Sequence, residues 1–450
     1  MCRVRLVVLG GGGFRVPLLH RALLVDAAGG GVVDDVVLVD PDPLRLDAVL
    51  AVLDHLGAAS RGPRLTIRAT TDLADGLRGA DVVFSAIRVG GLAGRVVDEQ
   101  VARREGVIGQ ETVGAGGISY ALRTIPVVRE IAGQIAATAP AAWVVNFTNP
   151  AGVVTEVMSE VLGERVIGIC DSPVGLCWRA ARAVGMDPEN ADCDYVGINH
   201  LGWLRAMRVD GVDRLPDLLA DPIALESFEE GALFGGQWLQ ALGSIPNEYL
   251  HYYYFTRDVR AADTGPGRAA SLLGQQEMFY ASAASEAAHE LWTAALHARE
   301  ESYFADNRRA MGAGPRAGED LGGGGYPRVA LAVLRAIVRN EPARLIVNVR
   351  NRGAIPGIAA ESVVEVPCIV DGRGARPLST GPLSEHQAGL IHAVMACEAE
   401  TITAARTGSR RAALRAFAGH PLVDSVTVAR RLLDAYLESV PGLAAILDSP

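Results

Sequence analysis

The chain has 450 residues, 49% hydrophobic and 21% charged, with a formal net charge of −10. That composition supplies a large core and excludes disorder; the acidic balance gives no field that draws in nucleic acid or anionic lipid. All 42 basic residues are arginine, which excludes Schiff-base lysine chemistry and a lysine-dependent phosphate loop. Six cysteines without paired spacing make no disulfide framework. No apolar run reaches membrane-spanning length and no leader pattern precedes the first strand, so a cytoplasmic protein is expected.

In chain order, the apolar run Val4–Leu9 stops at Gly10-Gly11-Gly12-Gly13, and a helix is predicted over Pro17–Val25. A second apolar run, Val36–Val39, ends at Asp40. Strands are predicted at Leu65–Ala69, Asp81–Ala86, Trp143–Asn146 and Val166–Ile169, and helices at Asp72–Arg78, Tyr120–Ala137 and Gly152–Leu162. Short apolar runs alternating with helices mean buried parallel strands in βαβ units. The predicted fold is therefore α/β, with a Rossmann-like doubly wound sheet over residues 1–195.

Residues 196–450 read as a mixed α+β domain. Tyr195–Asn199, Leu204–Val209, Leu345–Val349 and Val363–Val370 look like strands. Ala269–Ala298, Val329–Arg339, His386–Arg406 and Arg410–Leu447 look helical, the last broken near Gly419–Pro421. Residues 306–326, rich in Gly and Arg, read as a mobile loop.

Strand, glycines, helix, strand and acid together indicate a dinucleotide site. Glycines let backbone approach a pyrophosphate, the helix N-terminus offers unpaired N–H groups, and Asp40 is placed for ribose hydroxyls. A carboxylate there favours NAD over NADP. The third glycine of the usual pattern is Arg15. Cys170-Asp171 and Asn199-His200 each end a strand-like run. Taken alone, the first pair reads more readily as a buried structural cysteine with a helix-capping Asp171, and the second as a satisfied polar histidine. Together a thiolate and an imidazole could hold Mn, Fe, Co, Ni or Zn. The cluster Asn247-Glu248-Tyr249-Leu250-His251-Tyr252-Tyr253-Tyr254 reads as core packing or as the source of a tyrosine base.

These residues carry a resemblance. Gly109-Gln110-Glu111-Thr112 followed by Gly114-Ala115-Gly116-Gly117 resembles a signature of glycoside hydrolase family 4. So do Asn146-Phe147-Thr148-Asn149-Pro150, Gly168-Ile169-Cys170-Asp171, Gly197–Trp203, the tyrosine run from Tyr249, Asn348–Gly353 and Val364–Cys368. The set is in order over nearly the whole chain. The resemblance implies NAD and a divalent metal, Mn by expectation, in a glycosidase that departs from two-carboxylate chemistry. It implies transient oxidation at sugar C3, deprotonation at C2, elimination of the aglycone, water addition and re-reduction. By position it makes Cys170 and His200 metal ligands, Tyr249 the C2 base, and Glu111 the residue that raises its basicity. It makes Arg95, Asn149 and Arg268 substrate contacts. Arg88 is a phosphate candidate by its place in the sequence.

Arg123–Pro126 and Asn146–Gly152 resemble the 6-phospho-β-glucosidase branch, whereas Asp171 matches the 6-phospho-α-glucosidase branch, where it would protonate the leaving oxygen. The expected substrate is a phosphorylated disaccharide such as cellobiose 6-phosphate, or an aryl glucoside. No nucleic-acid or membrane partner is expected, and a homodimer or homotetramer is. A 2-hydroxyacid dehydrogenase of the lactate/malate type and a non-catalytic nucleotide sensor stay open as alternatives. Phe14-Arg15-Val16 and Gly325-Tyr326-Pro327-Arg328 depart from the family pattern.

Overall fold

The computed structural model describes residues 4–60, 62–263, 267–281, 287–311 and 325–448. Its first half holds β1 (Arg5–Leu9), β2 (Asp35–Val39), β3 (Thr66–Thr70), β4 (Val82–Ser85), β5 (Trp143–Asn146) and β6 (Val166–Gly168). They pair in parallel in the order β3-β2-β1-β4-β5-β6. This is the doubly wound arrangement, whose order reverses between β1 and β4 and opens a crevice there.

The apolar runs are strands because both sheet faces are covered. Val7, Leu9, Val37, Val39, Val83 and Val144 pack on one side; Leu6, Val8, Val36, Leu38, Val82, Phe84 and Val145 pack on the other. Successive strand residues point to opposite faces, so a strand buried on both must be apolar throughout.

The second half adds β7 (Asp192–Ile198), β8 (Leu201–Val209), β9 (Val212–Asp213), β10 (Ile245–Pro246), β11 (Ala343–Arg350), β12 (Val363–Asp371) and β13 (Gly374–Pro377). These continue the same sheet beyond β6, in the order β11-β12-β7-β8-β10. The junctions are narrow: β11 meets β6 only at Asn348 opposite Gly168, and β12 meets β7 only at Glu365 opposite Gly197. Within the sheet, one row of four residues, Gly168, Asn348, Glu365 and Gly197, thus runs from β6 to β7.

Helices flank the sheet. Gly114–Thr138 begins six residues before the expected start, and Gly91–Arg104 is a helix the sequence reading did not include. The expected helix Ala269–Ala298 is described as two, Arg268–Ala281 and Ala288–Glu301, and residues 282–286 lie outside the described set. The expected loop over 306–326 also falls largely outside it. Its described ends are helical, within Ala305–Ala310 and Tyr326–Arg339. Among the described residues no helix is long and apolar enough to cross a membrane.

Candidate active site

A cavity of about 1050 Å³ opens at the switch between β1 and β4. Gly10, Gly13, Asp40, Arg88, Arg95, Glu111, Asn149, Cys170, Asp171, His200, Tyr249 and Arg268 all line it. Residues predicted from segments far apart in the chain are therefore brought to one space.

The glycine turn forms one end. Gly10 has φ +78°, and a Cβ there would stand 2.6 Å from the Ala86 carbonyl oxygen. Gly11 and Gly12 do not line the cavity. A side chain on them would strike Leu38 and Arg45, so they are glycines for close packing against β2 and the helix after it. Asp40 accepts from the backbone N–H of Gly12 and Asp42, both at 3.1 Å. The next helix, Val16–Ala28, starts with Arg15 as its N-cap, and no side chain caps it. Close-packed glycines, an open helix start and a carboxylate at the tip of β2 fit a dinucleotide. Three aromatic donors from the second half pin this turn. Tyr280 donates to the Gly12 carbonyl at 2.8 Å, Trp292 to that of Phe14 at 2.9 Å, and Tyr326 to that of Arg15.

Cys170 and His200 come from different halves of the sheet, joined by the row Gly168, Asn348, Glu365 and Gly197. Cys170 follows β6, and His200 sits at φ +63° in the tight turn between β7 and β8. Glu365, fully buried, locks that row by accepting from Asn348 at 2.8 Å and Asn199 at 3.4 Å.

The imidazole tautomer follows from its partner. Thr112 Oγ1 donates its one hydrogen to Gln110 Oε1 (3.1 Å), so it accepts from His200 Nδ1–H (3.0 Å), and Nε2 is left as a bare lone pair. Burial, opposed by Asp171 and Glu111, brings His200 down to about 4, so the ring is neutral at neutral pH. Burial pushes the Cys170 thiol well up, with Glu365 and Asp171 adding to it. A neutral imidazole and a thiol that needs a nearby positive charge to ionise suit a cation. Among the described residues no group of three or more His, Cys, Asp or Glu side chains could hold one. A cation held here would complete its coordination with oxygens of a ligand or water.

Tyr249 packs flat on His200, with ring centroids 3.7 Å apart and planes 6° from parallel. Its hydroxyl accepts from Tyr303 at 3.3 Å. The Tyr303 hydroxyl also lies 3.2 Å from Glu248 Oε1, which accepts from Ser172 at 2.6 Å. Burial, with the charge of Glu248 adding, holds the Tyr249 phenol well above its ordinary value, and the Tyr303 hydrogen bond works against this.

Glu111, expected to raise the basicity of Tyr249, lines the same cavity, and its charge adds to the upward pull on that phenol. Its carboxylate is taken up by Arg88 (2.6 Å) and Arg95 (2.7 Å). Burial alone would raise it, but Arg88 and Arg95, with Arg268 and Arg299 adding, hold it at about 2. Arg88, expected as a phosphate contact, is thereby engaged with Glu111 and with the Tyr120 ring, 5.0 Å from its centroid. Arg95 also donates to Glu99 at 2.7 Å.

Arg268 and Arg299 are less satisfied. The Nε of each is buried without a hydrogen-bond partner among the described residues. Burial, with Arg268, Arg15 and Arg95 close by, brings Arg299 down to about 9. Crowded buried cations with spare donors are a built site for an anion. Asn149 Oδ1 is likewise buried and unpartnered in the cavity wall. Asp171 accepts from Arg15 at 3.2 Å, and that guanidinium lies over the rings of Tyr326 (4.3 Å) and Phe147 (5.1 Å). The two departures from the family pattern, Arg15 and Tyr326, are thus neighbours.

Sequence reading did not single out Arg299, Tyr303, Tyr280 or Thr112 as single-residue roles. Arg299 and Tyr303 sit in a helical stretch and just after it, with no local signature. Thr112 was legible only as part of the G-Q-E-T motif.

The fold and cavity define a dinucleotide-binding α/β protein with a cation-ready, anion-ready pocket. Models described as "Family 4 glycosyl hydrolase" and "Family 4 glycosyl hydrolase C-terminal domain" match residues 6–186 and 195–423. The chain belongs to glycosyl hydrolase family 4. It is 32% identical over 443 residues to a Bacillus subtilis (strain 168) protein named "Probable 6-phospho-beta-glucosidase", covering 97% of this chain and 96% of that one. Two solved structures align over nearly the full length. One is a 6-phospho-alpha-glucosidase from gut microorganisms in complex with NAD and Mn2+ (TM-score 0.82, 26% identity, 98% and 99% covered). The other is the Thermotoga maritima 6-phospho-beta glucosidase with NAD and glucose-6-phosphate (TM-score 0.81, 29% identity, 97% and 98% covered). Malate dehydrogenase from Plasmodium falciparum shares the fold at TM-score 0.52 and 13% identity over 89% of this chain and 97% of that one.

Proposed function

We propose that the protein hydrolyses 6-phospho-β-glucosides with bound NAD and a divalent cation, Mn by expectation. The observation that carries this reading is the single cavity in which the glycine turn, Cys170 with His200, Tyr249 and the arginine group meet. When bound, the dinucleotide would take and return a hydride at sugar C3, and the cation would polarise the C2 and C3 oxygens as a Lewis acid. Gly10, Gly13 and Asp40 hold the dinucleotide. Cys170 and His200 Nε2 hold the cation. Tyr249 removes the C2 proton at its phenolic oxygen, which the stack on His200 and the Tyr303 hydroxyl keep in place. Asn149 Oδ1 accepts from a sugar hydroxyl, Arg95 contacts the sugar, and Arg268 and Arg299, with Arg88, bind the 6-phosphate. Residues 1–195 supply the cofactor part and residues 196–450 the substrate, metal and assembly part, in a homodimer or homotetramer.

A second reading, 6-phospho-α-glucosidase, is favoured by Asp171 standing in the cavity wall beside Cys170. The engagement of Asp171 by Arg15 is the reason to prefer the β reading. The deciding experiment is a panel of α- and β-linked, phosphorylated and free nitrophenyl glucosides with NAD, Mn2+ and thiol. The expected result is turnover of the β-linked 6-phosphate, abolished by exhaustive removal of NAD. Preferential turnover of the α-linked compound would overturn the anomer assignment. NADH accumulation from malate would overturn the glycosidase reading itself.

The arginine assignment has its own test. Arg299→Ala should raise KM for the phosphorylated substrate by about 10- to 100-fold, the worth of a charged hydrogen bond, and leave KM for a free glucoside unmoved. Steady-state kinetics on both substrates reads this, and equal changes on the two would remove Arg299 from the phosphate site.

A further inference from the structure

We propose that the outer arm of the cavity, along the helix Ser172–Ala183, is a leaving-group subsite for a second sugar ring or an aryl group, with Trp178 as its platform. This rests on the glycosidase reading above. Two directions out of the reaction centre are already accounted for. The glycine turn and Asp40 take the dinucleotide, and the half-buried Arg268 and Arg299, with Arg88, take the phosphate. A third direction starts at Asp171 and follows one helix face. Asp171, Val174, Trp178 and Arg182 recur at three- and four-residue spacing, which puts them in one stripe, and all four line the cavity. The stripe begins beside Cys170 and ends at Arg182, which is exposed. It is therefore a path from the reacting bond to solvent, the path a departing group must take.

The chemistry of the arm suits a ring. Trp178 is half-buried, and the Arg328 guanidinium stacks on it with its carbon 3.5 Å from the ring centroid. Glu189 anchors Arg328 from the outside. Arg182 approaches the same indole at 5.5 Å. Cation–π stacking fixes the indole plane, and the forks place hydrogen-bond donors around an aromatic surface. The indole and the guanidinium stacked on it form one composite flat wall of the cavity, on which a pyranose or aryl ring can lie with its oxygens toward the Arg182 and Arg328 donors.

The test uses the full chain loaded with NAD and Mn2+. Trp178→Ala should lower kcat/KM for a disaccharide 6-phosphate by about tenfold or more, a stacking contribution of ordinary size. It should leave the methyl 6-phosphoglucoside within about threefold. Trp178→Phe should recover most of the loss, and Arg328→Ala should show the same selectivity more weakly. Equal losses on both substrates, or none on either, would overturn the subsite. Fluorescence titration with glucose and with phenol separates this failure from failure of the catalytic reading. If no glycoside is turned over, the glycosidase reading and the leaving-group role fall, and a tryptophan signal that disappears in Trp178→Phe still keeps Trp178 as a ring-binding surface. Without that signal the surface falls as well.

Discussion

Tyr249→Phe is expected to lower turnover by about 10²- to 10⁴-fold, the range general bases contribute. The substitution removes one oxygen and keeps the ring. The stack on His200 at 3.7 Å and the edge contact with Phe304 at 5.4 Å therefore persist, and the protein should fold and bind NAD normally. Loss of the C2 base has a specific signature. Solvent deuterium should no longer enter C2 of the sugar, while hydride exchange between C3 and the dinucleotide continues. Unchanged C2 exchange would reject Tyr249 as the base. Tyr303→Phe offers a graded control. It removes the donor to Tyr249 and keeps the ring against Arg268, 5.0 Å from its centroid, so kcat should fall with KM nearly unmoved.

The nucleotide half was legible because its physics is local. A parallel strand covered on both faces has to be apolar along its middle; β6 is apolar throughout, and β1, β2, β4 and β5 carry a polar residue only at one end, Arg5, Asp35, Ser85 and Asn146. The helix Gly91–Arg104 was not legible for the opposite reason. Its buried face carries Arg95, Asp98 and Glu99, made tolerable by partners elsewhere: Asp98 takes a two-pronged ion pair from Arg123 at 2.6 and 2.8 Å. Hydrophobic periodicity cannot register a face that buries charge. The start of the helix Gly114–Thr138 was hidden by its glycines, which are poor helix formers. They are required by packing, since a Cβ on Gly116 would fall 2.2 Å from the Gln110 carbonyl oxygen.

For the site, the split is between residues inside motifs and residues that arrive through tertiary structure. Cys170 and His200 stood at recognisable strand ends. What joins them, the single-residue contacts of Asn348 with Gly168 and Glu365 with Gly197, has no local pattern. Arg299 and Tyr303 reach the cavity across more than a hundred residues of chain, and an arginine or tyrosine near a helix end carries no sign of its destination. Glu111 shows both sides of that split. The motif located it in the cavity, while its partners were decided by which guanidinium groups the fold brought near.

Cys170→Ser should weaken Mn2+ binding by more than about 100-fold and abolish metal-dependent turnover, since even outer-sphere changes cost 10- to 100-fold. The hydroxyl is smaller and harder than the thiol and does not ionise in this setting. The side chain is 5% exposed, so the fold gains no water to compensate. His200→Ala should cost as much. It also removes the surface on which Tyr249 lies, so C2 exchange should fall beyond what added Mn2+ restores. Thr112→Val separates orientation from ligation. It keeps both donors and removes the oxygen that holds His200 Nδ1–H, freeing the ring to adopt the other tautomer or rotate. A loss of about tenfold in Mn2+ affinity is expected there, recovered at high metal concentration with kcat near that of the parent. Titration of Mn2+ by electron paramagnetic resonance, run beside activity, distinguishes the three. Full binding and full turnover in Cys170→Ser would remove the thiol from the site and leave His200 with a different second donor.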